Sequence, residues 1–389
     1  MTTQQQELIK QILLTVNKSI FVLFTLLAFT SKAYSQNYYL YVAAESEDQV
    51  HLIHFDATSG KANIAKTINV GRFPTEIDGP HGISVSPDGE YWFVSIAHGN
   101  PYGMLAKYKT GTDKLVSTTD LGLFPASMEI SEATGLLYVV NFNLHGDMVP
   151  STVSVIEPES MSRLADIETG IMPHGSRINA SGKQQYHVSM MTDELIEINT
   201  GSLQLSRRLK LSEAKSMDGM DHSTMDHSTM DHSAMNHGEM KHNPVEKPTW
   251  ADPHPTKPLV YVAGNGSDEV LEIDTEKWKV IRRFKTGKAP YNLEVTPDGK
   301  KVVVSYKGEG ATGIWDIEAG KELAKITNTR KVSHGVAISP DSKFAFISVE
   351  GIGGEPGSVD VINLESNTLV DHVNTGKQAG GIYFWKQVN

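Results

Sequence analysis

From Tyr38 onward, apolar and polar positions alternate in short bursts. Glu194-Leu-Ile-Glu-Ile-Asn, Glu269-Val-Leu-Glu-Ile-Asp and Ser358-Val-Asp-Val-Ile-Asn have period two. Nearly continuous apolar runs precede such segments: Tyr91-Trp-Phe-Val-Ser-Ile-Ala, Leu137-Tyr-Val-Val-Asn-Phe, Leu259-Val-Tyr-Val-Ala, Lys301-Val-Val-Val-Ser-Tyr and Phe344-Ala-Phe-Ile-Ser-Val. A period of two over so few residues predicts strands rather than helices. Turns punctuate the pattern, as in Pro87-Asp-Gly, Pro297-Asp-Gly and Pro340-Asp-Ser. Proline presets φ and glycine accepts a positive φ, which suits a tight hairpin.

The bursts group into a unit of roughly forty residues with four strands, the composition of one propeller blade. Complete units begin near His81, Ser127, His174, Pro253, Tyr291 and His334. Tyr38 through Val70 supplies only the second, third and fourth strands of a unit, and Gly381-Ile-Tyr-Phe-Trp supplies only a first. Together these fragments make one more blade. The expected fold is therefore all-β: a seven-bladed β-propeller of four-stranded antiparallel blades, closed by a blade shared between the N- and C-terminal strands. Such closure removes the open edges that an incomplete ring would leave.

Leu259-Val-Tyr-Val-Ala-Gly-Asn, then Asp268-Glu-Val-Leu-Glu-Ile-Asp-Thr, then Pro297-Asp-Gly, resembles the YVTN-type propeller repeat, with Val140 or Ala263 at the threonine of the pattern. The resemblance spans nearly all of the chain after residue 36. It implies the fold and leaves function open, because propellers serve as enzymes, binding modules and surface proteins.

The first 35 residues differ from the rest. Lys10 and Lys18 precede an apolar run, Ile20 to Phe29, too short for the roughly 20 residues of a bilayer span. Ala33-Tyr-Ser35 then offers small residues at a cleavage site. Residues 1–35 read as a signal peptide and 36–389 as the mature propeller, periplasmic or secreted, monomeric and without a membrane span; an uncleaved anchor is the alternative. The chain has no cysteine, which excludes disulfides, thiolate metal sites and cysteine nucleophiles. A net charge of -11 without a Lys/Arg block gives no nucleic-acid footprint.

Between the fourth and fifth blades, residues 216–247 break the pattern. His222, His227, His232, His237 and His242 recur every five residues, as do Met220, Met225, Met230, Met235 and Met240. With almost no β-branched or aromatic content the tract cannot build a core. Thioethers favour Cu(I), and imidazoles favour Cu(II), zinc or nickel. The tract resembles the Met/His-rich segments of periplasmic copper-resistance proteins, which implies copper, Cu(I) or Cu(II), with another divalent metal as an alternative. A low-complexity spacer with no ligand is the competing reading.

His81, His174 and His334 each precede glycine and open the innermost strand of a blade. His254 is expected near the corresponding place in the fifth blade, Asn292 in the sixth, Met128 near it in the third, and Gly380-Gly381 in the first. Innermost strands converge on the channel, so these histidines are expected to face one another at one mouth. The arrangement resembles the His-Gly motifs of the nitrous oxide reductase propeller domain, which implies a metal site at His81, His174 and His334. Four of the seven positions lack a clear matching histidine, and the missing cysteines exclude that family's binuclear copper domain. Histidines that only bond backbone at the rim are the alternative. His98 and His145 lie in loops that could reach the same mouth.

No nucleophile elbow, phosphate loop or HExxH helix is present. The reading that emerges is a non-catalytic propeller that binds or buffers copper. Two alternatives stay open: an envelope protein-interaction module without a metal role, and a metal-dependent enzyme, either a reductase or a lactonase-like hydrolase.

Overall fold

The computed structural model describes residues 2–7, 10–11, 36–72, 75–98, 103–212 and 244–388. Among them lie seven antiparallel sheets of four strands each, arranged as a β-propeller. In blade 1 the C-terminal strand Ala379–Val388 pairs with Asn37–Ala44, followed outward by Gln49–Asp56 and Lys61–Asn69. The closing register sets Tyr41 opposite Tyr383 and Val42 opposite Ile382. The split blade predicted from the two chain ends is thus the closure of the ring.

The innermost strands of blades 2 to 7 are Pro80–Val85, Pro125–Ile130, Pro173–Ile178, Pro248–Pro253, Pro290–Val295 and Val332–Ile338. Five of them open on proline. This corrects the fifth unit, whose innermost strand ends at Pro253 instead of beginning there. His254-Pro-Thr-Lys takes the place of the Pro-Asp-Gly turn: the His254 N–H donates to the Leu259 carbonyl, as the Thr296 N–H does to that of Lys301. Proline at both ends and tryptophan in the middle hide this strand from a reading that looks for His-Gly.

The core lies between blades. Between blades 1 and 2, Tyr41 stacks on Trp92 at 4.9 Å and Trp92 on Tyr108 at 4.3 Å. Burying each such ring contributes about 1.5–3 kcal/mol. Their polar atoms are satisfied: Tyr41 Oη and Trp92 Nε1 donate to Asp113, whose charge is met by Lys66. The outermost strands, such as Gln204–Lys210, alternate exposed and half-buried residues, as a sheet with one wet edge should.

The apolar run at 20–29, the expected cleavage site and the whole Met/His series from Met220 to His242 lie outside the described residues. Among the described residues no helix is long and apolar enough to cross a membrane.

Candidate metal centre

Each innermost strand of blades 2 to 7 carries a register shift near its start, for example between Pro80 and Ile83, Pro173 and Ser176, and Ser333 and Val336. A bulge there turns one side chain out of the sheet. In blade order the residues so presented are His81, Ala126, His174, Thr249, Tyr291 and His334, with Gly380 in the closing strand. Alignment on the opening proline corrects two expected equivalences. Tyr291, not Asn292, holds the sixth position, and Ala126, not Met128, holds the third.

Bulging frees backbone groups, and in blades 2, 6 and 7 a serine hydroxyl of the second strand takes them up. Ser305 accepts from the Asn292 N–H at 3.0 Å and donates to the His334 carbonyl at 2.6 Å. Ser348 likewise accepts from the Gly335 N–H and donates to the Gly380 carbonyl. One oxygen thus fixes the bulge of its own blade and the presented residue of the next. Glycine follows each histidine because the neighbouring blade passes too close for a side chain: a Cβ on Gly82 would lie 1.7 Å from the Ala126 carbonyl oxygen.

The three histidines do meet. Ring centroids of His81 lie 5.8 Å from His334 and 6.5 Å from His174. Tyr291 bridges the other side, 4.7 Å from His334 and 5.3 Å from His174. His174 Nδ1 lies 2.7 Å from the Thr249 carbonyl. A carbonyl only accepts, so Nδ1 carries the proton and the Nε2 lone pair takes the Tyr291 hydroxyl at 3.1 Å. His81 Nδ1 contacts Glu45 at 3.2 Å, and His334 Nε2 lies 3.7 Å from Glu350. The His334 Nδ1 is buried without a hydrogen bond. Beneath the rings lies a small cavity of about 30 Å³, lined by His81, His174, His334, Arg177 and Trp250. That is room for about one water-sized occupant.

Burial pushes the His174 imidazole down to about 3, aided by the charges of His81 and Lys307 and opposed by the Thr249 carbonyl. Burial and the Lys307 cation hold His334 well below its ordinary value. Neutral imidazole is the form that ligates metals, and a carboxylate or carbonyl on the other nitrogen is the usual way to orient it. Burial alone would raise Glu45, but His81 and His98 bring it down to about 2. His98 Nε2 donates at 2.8 Å to the second Glu45 oxygen, and the His145 ring lies 5.6 Å from that of His98, tilted by 37°. Both loop histidines therefore reach the mouth. His254 does not: it sits at the other end of its strand, where Nδ1 accepts from the N–H groups of Thr256 and Lys257. Among the described residues no three His, Asp or Glu side chains already stand as a ligand set. The histidine rings are wider apart than three imidazoles on one ion would be, so a shared ion would draw them inward.

Tyr291 stood in the sequence only as the start of a unit, whereas Glu45, Lys307 and Glu350, which carry no repeat signal, escaped notice. So did a second group, three residues further along the innermost strands: Glu129, Arg177, Asp252, Glu294 and Tyr383. Each carboxylate there accepts from a backbone N–H of the following blade, Asp252 from Val295 and Glu294 from Ile338. Arg177 is the single cation among three acids, 3.9 Å from Glu294. Burial, only partly offset by Arg177, pushes Asp252 up to about 7 and Glu294 up to about 8.

No family model matches the chain, and no curated protein matches it in sequence. Solved structures do resemble it. Hydrazine synthase of Kuenenia stuttgartiensis is 20% identical with a TM-score of 0.58, covering 80% of this chain and 90% of that one. A functionally unknown protein from Desulfotomaculum acetoxidans DSM 771 is 13% identical with a TM-score of 0.64, covering 89% and 98%. At these identities the likeness is one of fold.

Proposed function

We propose that this protein is an exported, non-catalytic propeller that binds copper, or another soft or borderline ion, on its histidine face. The observation that carries the reading is the convergence of His81, His174 and His334, far apart in sequence, on one channel mouth with their rings 5.8 and 6.5 Å apart. Two of them are held neutral by burial, and all three have a carbonyl or carboxylate beside one nitrogen. The Met/His tract at 216–247 supports the reading from its chemistry. The described chain resumes at Pro244, shortly before Thr249, whose carbonyl orients His174. The described end of the tract, Pro244 to Lys247, thus leads directly into the strand whose start faces the histidines.

Calorimetry with copper tests this on three proteins: the full chain, a 216–242 deletion, and the His81→Ala/His174→Ala/His334→Ala variant. The expected result is stepwise loss, with a multi-ion component missing from the deletion and a single tight site missing from the triple variant. Equal uptake by all three would sink the reading. Uptake by the tract should fade below pH of about 6.5, where free imidazole protonates.

A second reading is a docking platform for an envelope protein. It is favoured by the exposed apolar residues Ile77, Leu144, Met148, Val149, Val245 and Ile352, all in loops on the histidine face. Hydrazine synthase is by its name an enzyme, but a likeness of fold brings no reaction to this chain.

A further inference from the structure

Resting on the copper reading, we propose that Tyr291 is an anionic ligand of the mouth site, binding the ion through its phenolate oxygen together with His174 Nε2. Tyr291 occupies the same bulged position in its blade as the three histidines in theirs, so the fold presents its side chain to the same space. Its hydroxyl lies 3.1 Å from His174 Nε2. With metal–ligand bonds of about 2.0–2.2 Å, two donors at that spacing subtend roughly 90–100° at a common ion. That angle suits a four- or five-coordinate centre without moving either side chain far. The hydrogen bond between them would give way to two bonds to the ion.

Burial, with Glu350 and Glu45 nearby, raises the Tyr291 hydroxyl above its ordinary value against the pull of Lys307, so the bound ion must supply the charge that draws the proton off. The Lys307 ammonium lies 4.1 Å over the Tyr291 ring and 3.2 Å from Glu350. Lys307 would therefore balance a phenolate that replaces the phenol. His174 already offers a lone pair at Nε2, so it releases no proton on binding. The Tyr291 O–H bond does break: the oxygen pair goes to the ion and one proton leaves to solvent. His334, whose ring is 4.7 Å from Tyr291, brings a buried Nδ1 that makes no hydrogen bond. It is the next donor available to the same ion.

This assignment is separable from the tract, because residues 216–247 contain no tyrosine. The experiment is a titration of the full-length protein with Cu(II), followed by visible absorption and by proton release in weakly buffered solution. Wild type should develop a phenolate-to-copper charge-transfer band and release one proton more per chain than Tyr291→Phe. The Phe variant keeps the ring under Lys307 and should fold, which its far-UV circular dichroism checks, but it should lack the band. Copper that binds at the histidine-dependent site without a band in wild type would overturn the tyrosine ligand and leave the copper reading standing. Wild type and the triple histidine variant taking up equal copper, with no band in either, would overturn both.

Discussion

The Ser305 hydroxyl accepts from the Asn292 N–H and donates to the His334 carbonyl, so removing it strands two buried backbone groups. Ser305→Ala should cost about 1–3 kcal/mol in denaturant unfolding. Val188 holds the matching place in blade 4, and the neighbouring Ser189, opposite Pro173, has a hydroxyl buried without a partner. Ser189→Ala should therefore change stability by no more than about 0.5 kcal/mol. Equal losses at both serines would mean that volume, not the hydrogen bonds, sets the effect. Titration gives a second residue-scale prediction. Asp252 and Glu294, pushed up to about 7 and 8, keep protons that the unfolded chain gives up near pH 4. The native state then binds more protons, and stability falls as pH rises from about 4 to about 8. His174 acts at the other end: it stays neutral to about 3, whereas in the unfolded chain it charges below about 6.5. Its contribution is lost as pH falls from about 6.5 toward 3. Glu294→Gln should flatten the alkaline fall, so that melting temperatures at pH 5 and pH 8 move closer. An unchanged gap would show that Glu294 is ionised throughout.

At the scale of the element, the bulged innermost strand is the device that makes a site from a sheet. Gly82 permits it, because the backbone of the next blade fills the space where a side chain would go. Gly82→Ala should destabilise by about 2–4 kcal/mol, read as a drop in melting temperature, since the obstacle is a backbone oxygen that no rotamer change can clear. The strands themselves were legible in the sequence, because alternation and turn residues are local signals. So were His81, His174 and His334, since each stands before a glycine. Tyr291 was misplaced by one residue and His254 by the length of a strand. Both errors come from reading equivalence off His-Gly, when the opening proline marks the register. Glu45, Lys307 and Glu350 were not legible at all. They reach the mouth from loops and second strands, and only the closed ring brings them beside the histidines.

The whole molecule depends on its last strand. Ending the chain at Lys377 would remove Ala379–Val388 and uncover the edge of Asn37–Ala44, along with Tyr38 and Tyr41. Such a chain should associate or aggregate, visible in size-exclusion chromatography, because a bare apolar strand pairs with its like. A monomer with the parent's melting temperature would mean that the ring holds without its clasp. Closure also turns seven equivalent bulges into seven sockets around one axis, and at six of them the presented carbonyl accepts from the preceding blade rather than from its own side chain. The contents can then be rewritten one blade at a time without redesigning the scaffold. Gly380 is the empty socket: a Cβ there would meet Glu45 at 3.6 Å and His334 at 4.0 Å, ordinary contact distances. Gly380→His should accordingly fold and set a fourth imidazole beside the other three, and on the proposed copper reading calorimetry should then find a tighter mouth site than in the parent. The propeller is in this sense a programmable ring, whose chemistry is spelled by one letter per blade.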